Sequence, residues 1–254
     1  MFPPTQNKNG QVFAFTNLYP PKRFAIPTKS PFGYYWQRLH SRVVALVTKG
    51  DNIFRGQPVV AVIPARGGSG SLPGKNLRTV GELTLVQHAV KAAFDSGLID
   101  IVVVSSDDDE ILNHANSIGM VVAHRRGARL TSGSSSHGDV IRDLTDSDRD
   151  DVIVSTENGP WFVYLKPTSP LRTGQHLLEA FQELVEYPSI DAIVSVSADD
   201  ETRPNEAIYI FSYDEFAKTG ELPTIEQLKY VMDAEASLQI KTEADLVKAE
   251  ALLA

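Results

Sequence analysis

The apolar and polar positions of this chain follow a regular pattern from residue 59 onward. Short runs that are apolar throughout predict buried strands at 59–63, 101–105, 121–123, 162–165, 192–196 and 207–211. Between them, apolar residues recur at helical spacing and predict helices over 85–94, 109–119, 176–187 and 243–253. Such strands alternating with helices indicate an α/β fold, with a mostly parallel sheet and helices on both faces. Ligands of such sheets bind beyond the carboxyl ends of the strands.

Residues 1–57 differ in composition from residues 58–254, which we predict to form the α/β domain. Prolines recur between residues 3 and 31 and exclude a long helix there. The nearby Tyr34, Tyr35 and Trp36 are residue types that anchor interfaces. We predict an irregular N-terminal arm, which either packs on its own domain or is partly loose, or docks on a partner or another subunit.

Composition narrows the classes of protein that the chain can belong to. Its 254 residues, 42% hydrophobic and 22% charged, suffice for one large domain with an appendage. The formal net charge of -8 argues against binding to nucleic acid or an anionic membrane, so any bound anion needs a local site. The absence of cysteine excludes disulfides and thiolate zinc sites and favours a cytoplasmic protein. No apolar run approaches the roughly 20 residues that span a bilayer.

A glycine-rich loop, IPARGGSGSLPGKNLR (63–78), follows the first predicted strand. Gly67 and Gly68 allow the backbone to approach a ligand closely, and Arg66 and Lys75 supply positive charge in an acidic protein. These features favour a bound phosphate group. The alternative is that the glycines make a tight turn and the cations are solvated.

Neither of the two best-known phosphate loops fits this stretch. Counted back from Gly74 and Lys75, the P-loop glycine would be Ser69, and Asn76 stands where Ser or Thr is required. The dinucleotide fingerprint matches Gly68 and Gly70, but Pro73 stands where its third glycine is required. Both known loops are therefore poor explanations of this stretch.

Five segments of the chain, in order, resemble one known family. The loop IPARGGSGSLPGKN is similar to IPARGGSKGIPGKN, the signature of the CMP-sialic acid synthetase (acylneuraminate cytidylyltransferase) family. VVVSSDDDEI, YLKPTSPLR, RPNEAIYIF and SLQIKTEADLVKAEALL resemble that family's VSTDDEEI, LQPTSPLR, RPNGAIYI and SIDIDTEEDFELAEALL. The chain is identified as a divergent member of these cytidylyltransferases, which make CMP-activated acidic sugars. The resemblance covers most of residues 59–254 but does not reach residues 1–57.

The resemblance implies a nucleotide-diphospho-sugar-transferase-like (Rossmann-like) fold and a nucleotidyltransferase reaction. CMP would pass from CTP to a sialic-acid-like 2-keto sugar acid, with Mg²⁺ as cofactor and pyrophosphate as product. CTP and the sugar acid are thus the expected partners, and a homodimer is one expected assembly.

The resemblance also implies site residues at matching positions. Arg66 and Lys75 would bind the triphosphate, and Asn76 would hydrogen-bond the nucleotide. The other implied nucleotide contacts are Gly67, Gly68, Ser69, Arg126 and either Ser135 or Ser136. Lys166 and Arg172 would lie on the sugar side, although Arg172 equally suits a structural ion pair.

The chain departs from the family pattern where phosphate and metal would bind. Gly70 and Ser71 replace Lys and Gly, so one cation aimed at the phosphates is missing. Gln239 and Lys241 replace the aspartates that hold magnesium in the family, and protonated Lys cannot bind a metal ion. Residues 107–109 are acidic and could be other ligands, but acids before a helix also suit its dipole, so the metal ligands stay unknown.

Further departures affect the sugar side. Lys166 and Glu206 stand where the family has Gln and Gly, and the chain between Val196 and Asn205 is much shorter than in the family. Two functions therefore remain open: an active cytidylyltransferase with an altered substrate, and a degenerate homologue that keeps the fold, with or without nucleotide binding, but does not catalyse. A third hypothesis is a dinucleotide-dependent oxidoreductase, but Pro73 interrupts the glycine fingerprint that such an enzyme needs.

Overall fold

A seven-stranded sheet forms the centre of the fold in the computed structural model, which describes residues 54–68, 72–127, 130, 136–145, 159–224 and 226–253. Residues 57–254 form one compact unit. The predicted arm lies almost wholly outside the described residues, as do Ser69, Gly70, Ser71 and Ser135.

The described strands include all six that the sequence predicts. They are β1 (Val59–Pro64), β2 (Thr79–Val80), β3 (Leu83–Thr84), β4 (Ile101–Ser106), β5 (Val121–Arg125), β6 (Trp161–Tyr164), β7 (Ala192–Ser197), β8 (Asp200–Ser212) and β9 (Leu228–Met232). The order in the large sheet is β5-β4-β1-β6-β8-β7-β9, and β2 and β3 form a separate antiparallel pair. Only β8 runs antiparallel to its neighbours, which confirms the mostly parallel sheet.

The described helices include the four that the sequence predicts and two more. They are α1 (Leu85–Ser96), α2 (Asp109–Ile118), α3 (His137–Thr145), α4 (Gly174–Glu186), α5 (Tyr213–Thr219) and α6 (Glu243–Leu253). A capping box between Thr84 and Gln87 begins α1, and the carboxylate of Asp108 begins α2 by accepting two backbone N–H groups. Gly119, at φ 79°, ends α2 as its sequence predicts.

Strand β1 is covered on both faces of the sheet. Val60 and Val62 pack in a cluster with apolar residues of α3 and α5. Val59, Ala61 and Ile63 point the other way and are also fully buried. This is why β1 reads as a continuous apolar run rather than an alternating one.

The order in which strands join the sheet reverses at β1. From β1 the chain adds β4 and β5 on one side, then returns to place β6 on the other side. A crevice forms at such a switch point, outside the carboxyl ends of the strands. The glycine-rich loop leaves β1 at this point, and Lys166 follows β6 beside it.

Candidate functional site

The glycine-rich loop is anchored to the end of β4. The Ala65 N–H donates to the carbonyl of Ser105 at 2.9 Å, and the Gly67 N–H donates to Oδ1 of Asp107 at 2.9 Å. Asn76 is buried, and its amide nitrogen donates to the carbonyl of Arg66 at 2.8 Å. Asn76 thus closes the loop on itself, a structural role that its sequence position did not reveal.

The two adjacent glycines lie in different surroundings. A Cβ on Gly67 would lie 2.3 Å from Oδ2 and 2.7 Å from Cβ of Asp108, so a larger residue cannot fit without movement. A Cβ on Gly68 would have no atom within 4 Å. Gly67 is therefore required by the packing of the loop on α2, whereas Gly68 borders open space.

The cations of the loop come close to a further lysine. Lys75 begins a 3₁₀ helix (Lys75–Leu77) directly after Gly74, which has φ 61°. Burial, followed by the positive charge of nearby Lys241, lowers the pKa of Lys75, while Asp245 opposes this shift. Arg66 is exposed, and its Nε donates to the carbonyl of Gly68 at 2.9 Å. The loop therefore carries positive charge that is suited to an anion.

Arg126 lies at the same sheet edge, after β5. It is buried, and its guanidinium donates to Oγ of Ser105 at 3.2 Å and to the Ser105 carbonyl at 3.1 Å. Burial lowers the pKa of Arg126, and the charges of Asp107 and Arg66 also act on it. The structure thus brings together Arg126 and the loop residues that the resemblance implies as nucleotide contacts.

Lys166, after β6, pairs with Glu206 of β8. Their Nζ and Oε2 atoms lie 2.8 Å apart, and the exposed fractions of the two side chains are 13% and 43%. Desolvation alone would raise the pKa of Glu206, but the hydrogen bond and charge of Lys166 outweigh it and lower that pKa. Glu206 has φ 62°, a left-handed conformation that favours glycine.

Gln239 and Lys241 project on the same side of their segment, because Ile240 between them points into the core. Ile240 is fully buried, and its N–H donates to the carbonyl of Thr168 at 2.8 Å. Gln239 donates its amide nitrogen to the carbonyl of Asn205 and lies 3.4 Å from Oε2 of Glu206. The two departures from the family's metal motif therefore face the candidate site.

An open cavity of about 330 Å³ is lined by His137, Pro204, Tyr209, Glu221, Leu222, Pro223 and Thr224. Pro204 belongs to β8, which also carries Glu206. His137 and Tyr164 share a hydrogen bond of 2.9 Å. Partial desolvation of the ring, followed by the positive charge of Lys166, lowers the pKa of His137 to about 4, although the residue as a whole is exposed. Sequence reasoning missed both residues: His137 lies outside the five matched segments, and Tyr164 begins one of them but was taken only as part of a buried strand.

Arg172 contacts the backbone beside the Lys166–Glu206 pair. The residue is buried, and its Nη1 donates to the carbonyls of Lys166 at 3.1 Å and Ala207 at 2.8 Å. Within the described residues its Nε and Nη2 have no hydrogen-bond partner, and burial lowers its pKa. Arg172 thus holds in position the two strands that carry Lys166 and Glu206, and direct contact with a sugar stays a prediction.

The described residues do not fit a magnesium ion at the family's position. Asp107 accepts the Gly67 N–H, Asp108 caps α2, and Asp109 pairs with Arg125. Gln239 donates its amide N–H group to a carbonyl, and Lys241 is a cation. Neither a donating amide nitrogen nor a protonated lysine binds a hard metal ion. Nowhere in the described ranges do three or more His, Cys, Asp or Glu side chains form a group that could hold a metal ion. Magnesium stays a prediction from the resemblance alone.

Comparison with known proteins identifies the family. The family model described as cytidylyltransferase matches residues 60–244, which include β1, the loop and most of the sheet. This chain belongs to the cytidylyltransferase family. The match confirms the resemblance that the five segments carry, and it leaves residues 1–57 outside.

Two relatives of this cytidylyltransferase family member have names that refer to an acylneuraminate and to CMP-N,N'-diacetyllegionaminic acid. The chain is 28% identical over 221 residues to the N-acylneuraminate cytidylyltransferase of Streptococcus agalactiae serotype V, covering 74% of this chain and 51% of that protein. It is 33% identical over 143 residues to the CMP-N,N'-diacetyllegionaminic acid synthase of Legionella pneumophila, covering 55% and 57% of the two chains. The chain thus spans about half the length of the first curated relatives that it matches.

A solved structure supports the fold of this family member. The chain resembles CMP:2-keto-3-deoxy-manno-octonic acid synthetase, solved with CTP, at a TM-score of 0.58 and 16% identity, over 78% of this chain and 98% of that one. At this identity the likeness shows the nucleotidyltransferase fold alone. No helix in the described part of the chain has the length and apolar character needed to cross a membrane.

Proposed function

We propose that this protein transfers CMP from CTP to a sialic-acid-like 2-keto sugar acid. The observation that supports this function best is that Arg66, Lys75 and Arg126 follow β1 and β5 at one sheet edge, whereas Lys166, after β6 at the same edge, lies near His137, which lines a cavity of about 330 Å³. The first group suits a triphosphate, and the second suits a sugar that carries a carboxylate. The names of the relatives support the same pair of substrates.

In the proposed reaction, the anomeric hydroxyl oxygen of the sugar attacks the α-phosphorus of CTP. A new P–O bond forms, the bond from that phosphorus to the bridging oxygen breaks, pyrophosphate leaves, and the hydroxyl proton passes to solvent. Negative charge grows on the phosphoryl oxygens and the departing pyrophosphate. Arg66, Lys75 and Lys241 would lower the energy of this charge, because preorganised cations act most strongly where charge develops.

A second candidate is a homologue that binds nucleotide without catalysis. The observation that favours it is the donor set at residues 239 and 241, which lacks carboxylates in the position of the family's metal ligands. No step of the proposed reaction is assigned to magnesium for the same reason. Homodimer formation and a cytoplasmic location stay predictions.

Calorimetric titration of CTP tests the proposed function. We expect CTP to bind the full chain more tightly than ATP, and Lys75→Ala to abolish measurable CTP binding. Lys218→Ala is the matched control, because Lys218 is an exposed lysine that pairs with Glu215 on α5. Pyrophosphate release upon addition of a sugar acid then separates the enzyme from the non-catalytic homologue. Failure of the wild-type chain to bind CTP, with or without magnesium, would refute both.

A further inference from the structure

Three residues that depart from the family's pattern, two on the sugar side and one in the metal motif, lie in contact. Lys166, Glu206 and Gln239 come from the end of β6, from β8 and from the segment before α6. Oε2 of Glu206 lies 2.8 Å from Nζ of Lys166 and 3.4 Å from Nε2 of Gln239. The Glu206 carboxylate therefore accepts from a cation and from an amide, which is how a protein holds the carboxylate of a ligand.

The backbone at Glu206 is in a conformation that glutamate does not favour. Its φ of 62° lies in the left-handed region, which residues other than glycine rarely adopt. The local backbone therefore does not explain the presence of Glu at this position. The side chain does, because it brings a carboxylate to a lysine whose exposed fraction is only 13%.

His137 connects the ion pair with the open cavity. His137 and Tyr209 line that cavity, and the charges of Lys166 and Glu206 both act on His137. His137 is neutral at pH 7, since its pKa is about 4, and it adds no competing positive charge. Glu206 is 43% exposed and can turn toward solvent, whereas Lys166 is largely buried and remains. A ligand carboxylate that enters from the cavity can therefore replace that of Glu206.

We propose that Glu206 occupies the carboxylate subsite in the free protein and that an acidic sugar binds by displacing it from Lys166. This inference rests on the proposed function and deepens it, since it names a residue that sets the affinity for acidic substrates. The exchange forms one ion pair and breaks one, so no net charge is left unpaired on Lys166. Gln239 donates to the incoming carboxylate as it does to Glu206.

The test compares binding of N-acetylneuraminic acid with binding of its methyl ester, which lacks the negative charge. We expect Glu206→Gln to bind the free acid about tenfold more tightly than wild type, because the competing charge is gone while the size of the side chain is kept. Affinity for the methyl ester should not change. Lys166→Gln should weaken binding of the free acid, and the double variant should bind no better than Lys166→Gln.

Two controls accompany these variants. Glu215→Gln removes another ion-paired carboxylate, 19% exposed, and should leave both affinities unchanged. Glu206→Gly relieves the left-handed backbone as well, so it should bind the free acid at least as tightly as Glu206→Gln. Equal affinities of wild type and Glu206→Gln, equal gains for acid and ester, or no binding of the acid by either protein would overturn the proposal. Titration with CTP in parallel reports on the proposed function separately, because the sugar acid comparison is made without nucleotide.

Discussion

Replacement of Gly67 by alanine provides a sharp test of how the loop is built. The added Cβ would lie 2.3 Å from Oδ2, 2.9 Å from Cγ and 2.7 Å from Cβ of Asp108. Rotation of the carboxylate cannot remove the contact with Cβ, so either the loop or the first turn of α2 has to move. The control is Gly68→Ala, whose Cβ would meet nothing within 4 Å. The two variants make the same chemical change at adjacent positions.

The cost of Gly67→Ala follows from the contacts that would be lost. Movement of the loop breaks the 2.9 Å hydrogen bond from the Gly67 N–H to Asp107, which contributes about 1.5–3 kcal/mol because the acceptor is charged. Movement of Asp108 instead removes the cap of α2, in which Oδ1 accepts from the N–H of Glu110 at 2.8 Å, a loss of about 1 kcal/mol. We expect a loss of about 2 kcal/mol, and a fall in Tm of about 4–8 °C for a chain of this size.

Thermal and urea denaturation of both variants measure this difference. Gly68→Ala should keep the Tm of the wild type within about 1 °C, or raise it slightly, because alanine restricts the unfolded chain. It should nevertheless weaken CTP binding, since its methyl group enters the open space that Gly68 borders. Equal stability of the two variants would refute the assignment of Gly67 to packing and Gly68 to the ligand.

Three further predictions concern single residues of the site. Arg172→Ala should lower the free energy of unfolding, measured in urea, by about 3 kcal/mol, because two buried carbonyls lose their donor and a cavity remains. Unchanged stability with loss of sugar acid binding would instead identify Arg172 as a substrate contact. Lys241→Asp should weaken CTP binding in EDTA about tenfold and make that binding depend on magnesium. The reason is that the variant replaces a cation near Lys75 by a carboxylate near Asp245. Equal CTP affinities of the variant and the wild type in EDTA, measured by calorimetry, would contradict this prediction. NMR titration should give His137 a pKa well below 6.5. The folded state then binds fewer protons than the unfolded state, so the free energy of unfolding should fall as pH decreases from about 6.5 toward 4. A pKa above 6.5 would show that the ring is not desolvated.

Local pattern was enough to predict most of the regular structure and the family. The apolar run of β1 and the amphipathic stripe of α1 are visible over a few residues, because strand and helix periods are local properties of a chain. The loop after β1 carries its glycines and cations in one stretch, so a phosphate site was predictable as well. The antiparallel direction of β8, the short pair of β2 and β3, the strand β9 and the helices α3 and α5 were not predicted, because their patterns are short or mixed.

The sequence by itself determined the class of fold and the family, and it predicts a phosphate site in the loop after β1. Tertiary structure decided which of the unusual residues meet one another. Lys166 and Glu206 lie far apart in the sequence, and β8 brings them together only because it runs antiparallel beside β6. Gly67 and Gly68 look equivalent in sequence, and the approach of Asp108 from α2 distinguishes them. Contacts between distant segments depend on strand order and register, and local periodicity carries no information on either.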